Sequence, residues 1–246
     1  MNHAPPDFPF YAGEPIALRP AQWAWLMLAV AVGFAALYLP VGAPGSPLLS
    51  FVSALLFPAI PLLALRGLVV RHWRALFHRL SLKDFGLALG VALLNIAITM
   101  MVGLLVSRLI GANANPAFGL LDHASNLDRL LFALRSLPQL LGEEVLTMLP
   151  FLGLLALMKG RLGLSRRAAI TVAWLLSGLL FALVHLPTYQ WNWAQCLLII
   201  GSARLVLSLA YLWTRNLWVS TLANVLNYWM LISSALLLAT LAQPSA

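Results

Sequence analysis

Three side chains in an otherwise apolar setting have types that could do acid–base chemistry: Glu143, Glu144 and His185. Gly142-Glu143-Glu144 interrupts an apolar stretch running from about Leu130 to Met158. A single acid at bilayer depth costs roughly 2.5–3.5 kcal/mol on insertion scales, so a pair kept there asks for a function. No other acidic residue lies inside an apolar run. A carboxylate in a low-dielectric site can take a proton from water, and a neighbouring histidine can position that water or share its proton. Glutamate and histidine can also ligate a divalent metal such as zinc, with Glu143 and His185 the residues that would hold it. Peptide hydrolysis through activated water fits either version, and no cofactor is required by the first. The structural alternative is that Glu143 and Glu144 pair with an arginine or hold a kinked helix, and that His185 is merely interfacial.

The elements that must carry these residues follow from composition. The 246 residues are 62% hydrophobic and 9% charged, with a mean hydropathy of +0.91. Such a chain cannot cover itself with polar surface as a soluble globule does. The expected fold is therefore all-α, a polytopic membrane bundle of about seven transmembrane helices in a lipid bilayer. Residues 1–20 read as an irregular N-terminal tail and 21–246 as one transmembrane helical domain, with no room for a second soluble domain. The tail carries Asp7, Glu14 and several prolines, and so lacks the basic start and apolar core of a cleavable signal. The lone Cys196 excludes an internal disulfide framework.

Apolar runs place the spans at Ala21–Leu39, Leu48–Leu65, Phe85–Ile110, about Leu130–Met158, Ala168–Leu186, Gln195–Trp213 and Leu217 to about Leu241. Trp23 and Trp25 open the first, and Pro40–Pro47 turns the chain after it. Pro58 and Pro61 predict a kink in the second. Gly111 to Asp128, with Asp122 and Asp128, is a more neutral connection. Arg19, the basic loops 66–83 and 159–167, and Arg215 put eleven positive charges on one side, against Arg108 and Arg129 on the other. The positive-inside rule then predicts a cytoplasmic N-terminus and an extracytoplasmic C-terminus, as in a bacterial inner-membrane protein. The net charge of +8 is thereby topological, and nucleic acid is not an expected partner.

Helix arithmetic tests whether the acids and the histidine could meet. Glu143 lies about 24 Å of helix back from Lys159, and His185 about 27 Å forward from Arg167, at 1.5 Å per residue. Their two spans form an antiparallel pair, so the side chains share nearly one depth, in the half of the bilayer away from the basic loops.

Glu143-Glu144 after Gly142, followed some forty residues on by Phe181-Ala182-Leu183-Val184-His185-Leu186-Pro187, resembles the first two motifs of the CAAX-protease and bacteriocin-processing family of intramembrane endopeptidases. That pattern is Glu-Glu-x-x-x-Arg, then Phe-x-x-x-His, then a late His-x-x-x-Asn. The resemblance covers about Leu130 to Trp229, a protease-like core, and includes the Tyr211–Trp218 turn. It implies that Glu143 and His185 activate the hydrolytic water, with Glu144 and Phe181 in support. Met148 stands where the family has its arginine, and the late motif falls on Asn224 and Tyr228, with Asn227 one residue away. An asparagine amide can donate to a developing oxyanion, so Asn224 or Asn227 could stabilise a tetrahedral intermediate. Two acids, one histidine and neutral amides make a poor zinc set.

Arg204 lies deep inside the sixth span, where a buried guanidinium needs an acidic partner. Glu144 is the expected one, with Arg135 the second candidate cation. Tyr189, Trp191 and Trp193 after the histidine read as an interfacial belt, or as a rim guiding a substrate peptide. The expected activity is cleavage of a membrane-anchored or lipid-modified peptide or protein. The alternatives are a non-catalytic relative, such as a bacteriocin-immunity factor or membrane scaffold, and a small transporter relaying protons through the carboxylates.

Overall fold

The computed structural model describes residues 7–39, 47–121 and 124–242. The Pro/Gly-rich turn at 40–46 and Asp122 lie outside the described residues. Apolar runs of span length become helices because a chain in lipid must satisfy its backbone hydrogen bonds internally. In order these are α1 (Pro20–Ala35), extended by the 3₁₀ turn Ala36–Tyr38, then α2 (Pro47–Val69), a 3₁₀ stretch Val70–Leu76, and α3 (Leu82–Leu109). A short α4 (Pro116–Leu121) precedes α5 (Asn126–Gly160) and α6 (Arg166–Val184). A π-helical segment Gln195–Ile200 runs into α7 (Gly201–Thr214), and α8 (Leu217–Ala242) follows. Six of these segments are long and apolar enough to cross a membrane, and α8 spans 26 residues. The protein is an integral, multi-pass membrane protein.

The helix that carries the glutamates is the centre of the packing. α5 is touched by α1, α2, α6 and α8, and 67% of its apolar window is buried, against 22% for α3. Ser125 caps its start by accepting from the Asp128 N–H, while the Asp128 carboxylate accepts from Ser125. One core cluster joins the tail, α1, α2, α5, α6 and α7 through Trp23, Phe57, Leu149, Phe151 and Tyr211. A second joins α3, α7 and α8 through Ala88, Val91, Ala210, Val219 and Ala223. Small residues at that seam let the three helices approach closely, which is how helices associate where lipid removes the hydrophobic drive.

α2 runs through Pro58 and Pro61 as one helix. Pro61 has no N–H to offer the carbonyl of Phe57 one turn back. Gly33 of α1 packs onto that carbonyl so tightly that a Cβ there would lie 2.6 Å from the oxygen. On the other side, a Cβ added at Gly142 would come within 2.3 Å of the Phe57 ring. The glycine before the glutamates is thus needed to let α5 and α2 approach. Gly142→Ala is expected to cost about 1–3 kcal/mol, the range for overpacking a core. Thermal unfolding in detergent measures it, and Phe57→Leu in the same chain is expected to return most of the loss.

Residues 7–19 form no helix or strand, yet they pack against the bundle. Phe8 and Phe10 are buried, Phe8 lying edge-on to Phe151 at 5.3 Å, with the Arg215 guanidinium 5.3 Å from its ring centre. Asp7 pairs with Arg166 at 2.6 Å. Partial burial pushes the Asp7 carboxyl upward, but hydrogen bonds from Arg166, Tyr11 and the Phe8 N–H outweigh it and hold it at about 2. The backbone N–H of His78 donates to the Asn216 side chain, whose amide donates back to the His78 carbonyl. These contacts gather the tail, both basic loops and the α7–α8 turn at one end of the bundle.

Candidate active site

Glu143 sits midway along α5, seventeen residues from either end of that helix, with Glu144 next to it. Consecutive helical residues point about 100° apart, so two neighbouring acids cannot share one environment. Glu144 is fully buried and turned toward α7, where Arg204 Nη1 lies 2.8 Å from its Oε1. Both side chains are out of solvent, at 1% and 0% exposure. This is the partner that burial demanded. Arg204 Nη1 also donates to Thr147 Oγ1 at 3.3 Å, and that hydroxyl donates to the Glu143 carbonyl at 2.9 Å. Met148, at the position of the family's arginine, is buried in the core. The guanidinium therefore crosses from α7 instead of reaching along α5.

Glu143 is only partly buried and has no cation of its own within ion-pair distance among the described residues. It accepts from Asn224 Nδ2 at 3.2 Å, and the same nitrogen donates to Glu144 Oε1 at 3.0 Å. An amide nitrogen has two hydrogens, and here each is committed to one carboxylate. Asn224 thus locks the pair in register and has no hydrogen left for an oxyanion. Asn227, one turn on, accepts from Asn95 Nδ2 of α3 at 2.9 Å through its Oδ1, and its own amide N–H groups have no partner among the described residues. Of the two asparagines, Asn227 keeps the free donors.

His185 sits at the C-cap of α6, where the chain leaves the helix before Pro187. Its Nδ1 is 2.8 Å from the Phe181 carbonyl, one turn back. A carbonyl only accepts, so the proton is on Nδ1 and Nε2 carries the lone pair. The Phe181 ring lies 4.4 Å from the imidazole, and Arg204 Cζ lies 4.5 Å from the centre of the same ring. Phe181 therefore holds His185 twice, by carbonyl and by ring, and takes the Arg204 cation on its π-system. No hydrogen bond joins His185 to either carboxylate among the described residues.

Tyr228 stacks on Phe132 of α5, with ring centres 6.3 Å apart. Tyr189 turns inward, while Trp191 and Trp193 are 61% and 53% exposed, which suits an interfacial belt. The loop carrying Tyr189 is tied down by Asn113, which donates to the Tyr189 carbonyl and exchanges two hydrogen bonds with the Gln195 side chain. Arg135 lies near Tyr228 and makes no ion pair with the glutamates.

The donor chemistry does not fit a zinc ion. Among the described residues no three of His, Cys, Asp and Glu gather as ligands. Glu144 Oε1 already faces a guanidinium at 2.8 Å, which leaves one free carboxylate, one imidazole and neutral amides.

Three parts of the site were not singled out in the sequence. The π-helical turn Gln195–Ile200 precedes Arg204 and advances its register, and extra-residue turns of this kind gather at functional sites. Asn95 and Thr147 are the others, and a lone amide in the apolar run of the third span was the available signal for Asn95.

The site of this multi-pass helical membrane protein is thus a carboxylate pair in which Glu144 is held by arginine and Glu143 is not. The family model described as Type II CAAX prenyl endopeptidase Rce1-like matches residues 125–230, from the cap of α5 into α8. This is the CAAX-protease family that the motifs resemble. No curated protein and no solved structure matches the chain.

Proposed function

We propose that the protein is an intramembrane endopeptidase that hydrolyses a peptide bond in a membrane-anchored or lipid-modified substrate. The observation that carries this is the unequal treatment of the two glutamates: Arg204 pairs with Glu144, while Glu143 accepts from the neutral amide of Asn224 and makes no ion pair among the described residues. Glu143 acts as the base. It removes a proton from a water whose oxygen forms the new bond to the scissile carbonyl carbon, and the carbonyl π-pair moves onto oxygen. Asn227 Nδ2–H donates to that oxyanion. His185, held with Nε2 bare, accepts a hydrogen bond from the same water and orients it. Collapse of the intermediate breaks the C–N bond, and the proton on Glu143 passes to the departing amine.

The family model's name points to prenylated C-terminal peptides as one substrate class. The positive-inside rule makes the end with the basic loops and tail cytoplasmic; the glutamates then lie in the opposite half of the bilayer, which favours a substrate entering from that side. The test is a proteomic comparison of membrane-anchored peptides from cells carrying wild-type or Glu143→Gln protein. Peptides shortened by wild type and intact with Glu143→Gln are expected. Identical peptide sets in the two strains would overturn the reading.

A further inference from the structure

A hydrolase whose base lies within a bilayer must be supplied with its second substrate, water. The structure has a polar feature outside the carboxylate site that bears on this. Asn95 lies in the middle of α3 at 1% exposure, in a run of apolar residues. Its amide donates to Asn227, but its Oδ1 is buried and has no hydrogen-bond partner among the described residues. Thr99 is one turn further on the same helix, and its buried Oγ1 has no partner among the described residues either.

Thr99 is unusual among the hydroxyls of these helices. Thr147, Ser208, Thr214 and Thr221 each donate to the carbonyl one turn back, as hydroxyls in apolar helices do. Thr99 does not make that bond, although the Asn95 carbonyl is the one it would use. Its hydroxyl is left free beside the unpaired Asn95 oxygen. Side chains four residues apart on a helix have Cβ atoms about 5–6 Å apart, which suits one molecule bonded to both. A buried acceptor and a buried hydroxyl without partners are the groups that internal water satisfies, typically with about three hydrogen bonds.

We propose that Asn95 and Thr99 form a water-binding station on α3, and that water held there supplies the hydrolytic site by way of α8. The water donates to Asn95 Oδ1 and exchanges a hydrogen bond with Thr99 Oγ1. Asn227, already bonded to Asn95, and Asn224, one turn back on the same face of α8 and bonded to both glutamates, continue the polar track. Glu144 Oε2, also buried and unpaired, gives the track an acceptor at its far end. The supply role rests on the peptidase reading; the station itself does not.

Two measurements on the full chain in lipid nanodiscs test it. In X-ray hydroxyl-radical footprinting with H2¹⁸O, bound water labels its neighbours even where bulk solvent is absent. Wild type is expected to show slowly exchanging label in the α3–α8 seam at Val91, which is only 2% exposed, or at Leu226. Thr99→Val, of the same shape but without the hydroxyl, is expected to lose that label, and Thr99→Ser to keep it. In peptide cleavage, Thr99→Val is expected to lower kcat about tenfold at unchanged KM, the rate equivalent of one hydrogen bond, with Thr99→Ser restoring it. Absence of seam labelling in wild type, or equal labelling in Thr99→Val, overturns the station. Labelling as expected with unchanged kcat in Thr99→Val overturns the supply role. If wild type cleaves no peptide, the peptidase reading falls while the footprint still decides the station.

Discussion

Glu143→Gln is expected to leave the bundle folded and to lower peptide cleavage by about 10²–10⁴-fold, the usual contribution of a positioned general base. The substitution keeps the shape of the side chain and an oxygen that can accept from Asn224, so packing of α5 against α2 and α6 is unaffected. What it removes is the group that takes the proton in the proposed mechanism. The expected signature is therefore a fall in kcat at nearly constant KM, with a thermal unfolding profile that overlays the wild type. Glu144→Gln differs, because it strips Arg204 of its counter-ion and is expected to lower stability and rate together. Equal kcat losses in the two variants, at equal stability, would contradict the division of labour between the acids.

Arg204→Met gives the second large effect. Removing the guanidinium leaves Glu144 with Asn224 as its remaining hydrogen-bond donor inside the bundle, and breaking a buried pair by deleting one partner typically costs about 3–5 kcal/mol. The double variant Arg204→Met with Glu144→Leu removes both charges, and replacing a whole buried pair by apolar groups is often nearly neutral. Thermal unfolding of the four proteins completes the cycle. The double variant is expected to be well above Arg204→Met and close to the wild type. Losses that simply add would mean that the two side chains do not stabilise one another. Phe181 gives a further check, since its ring touches both the guanidinium and His185. Arg204→Met is expected to loosen the imidazole as well as the acid.

Span positions were legible because basic loops and proline- or glycine-rich turns punctuate apolar runs of bilayer length. Each expected span falls within a few residues of a helix, from Leu82–Leu109 to Leu217–Ala242. The Arg204–Glu144 pairing was legible for a related reason, since few acids are available to a guanidinium at that depth. Local pattern did not reach features set by distant partners. Asn95 bonds a residue 132 positions away, and nothing in its own run shows which face α8 will cover. The π turn at Gln195–Ile200 leaves no trace in hydrophobic periodicity when every neighbour is apolar. Prolines and acidic residues in the tail hid the role of Phe8 and Phe10 in the core. The commitment of both Asn224 hydrogens follows from the angle between two neighbouring acids on one helix, which required coordinates.

The shared guanidinium has a consequence for how the reaction charges and discharges its surroundings. In the proposed mechanism two carboxylates meet one arginine beside a neutral His185 ring, so the cluster that is ready to react carries one negative charge in excess. When Glu143 takes a proton from water, its own charge disappears and the hydroxide equivalent transfers that charge to the substrate oxygen. Total charge within the apolar shell stays constant, and the excess moves only from the carboxylate to the oxyanion. The proposed steps leave Arg204 on Glu144, so they need no counter-ion to enter from the lipid side or leave toward it.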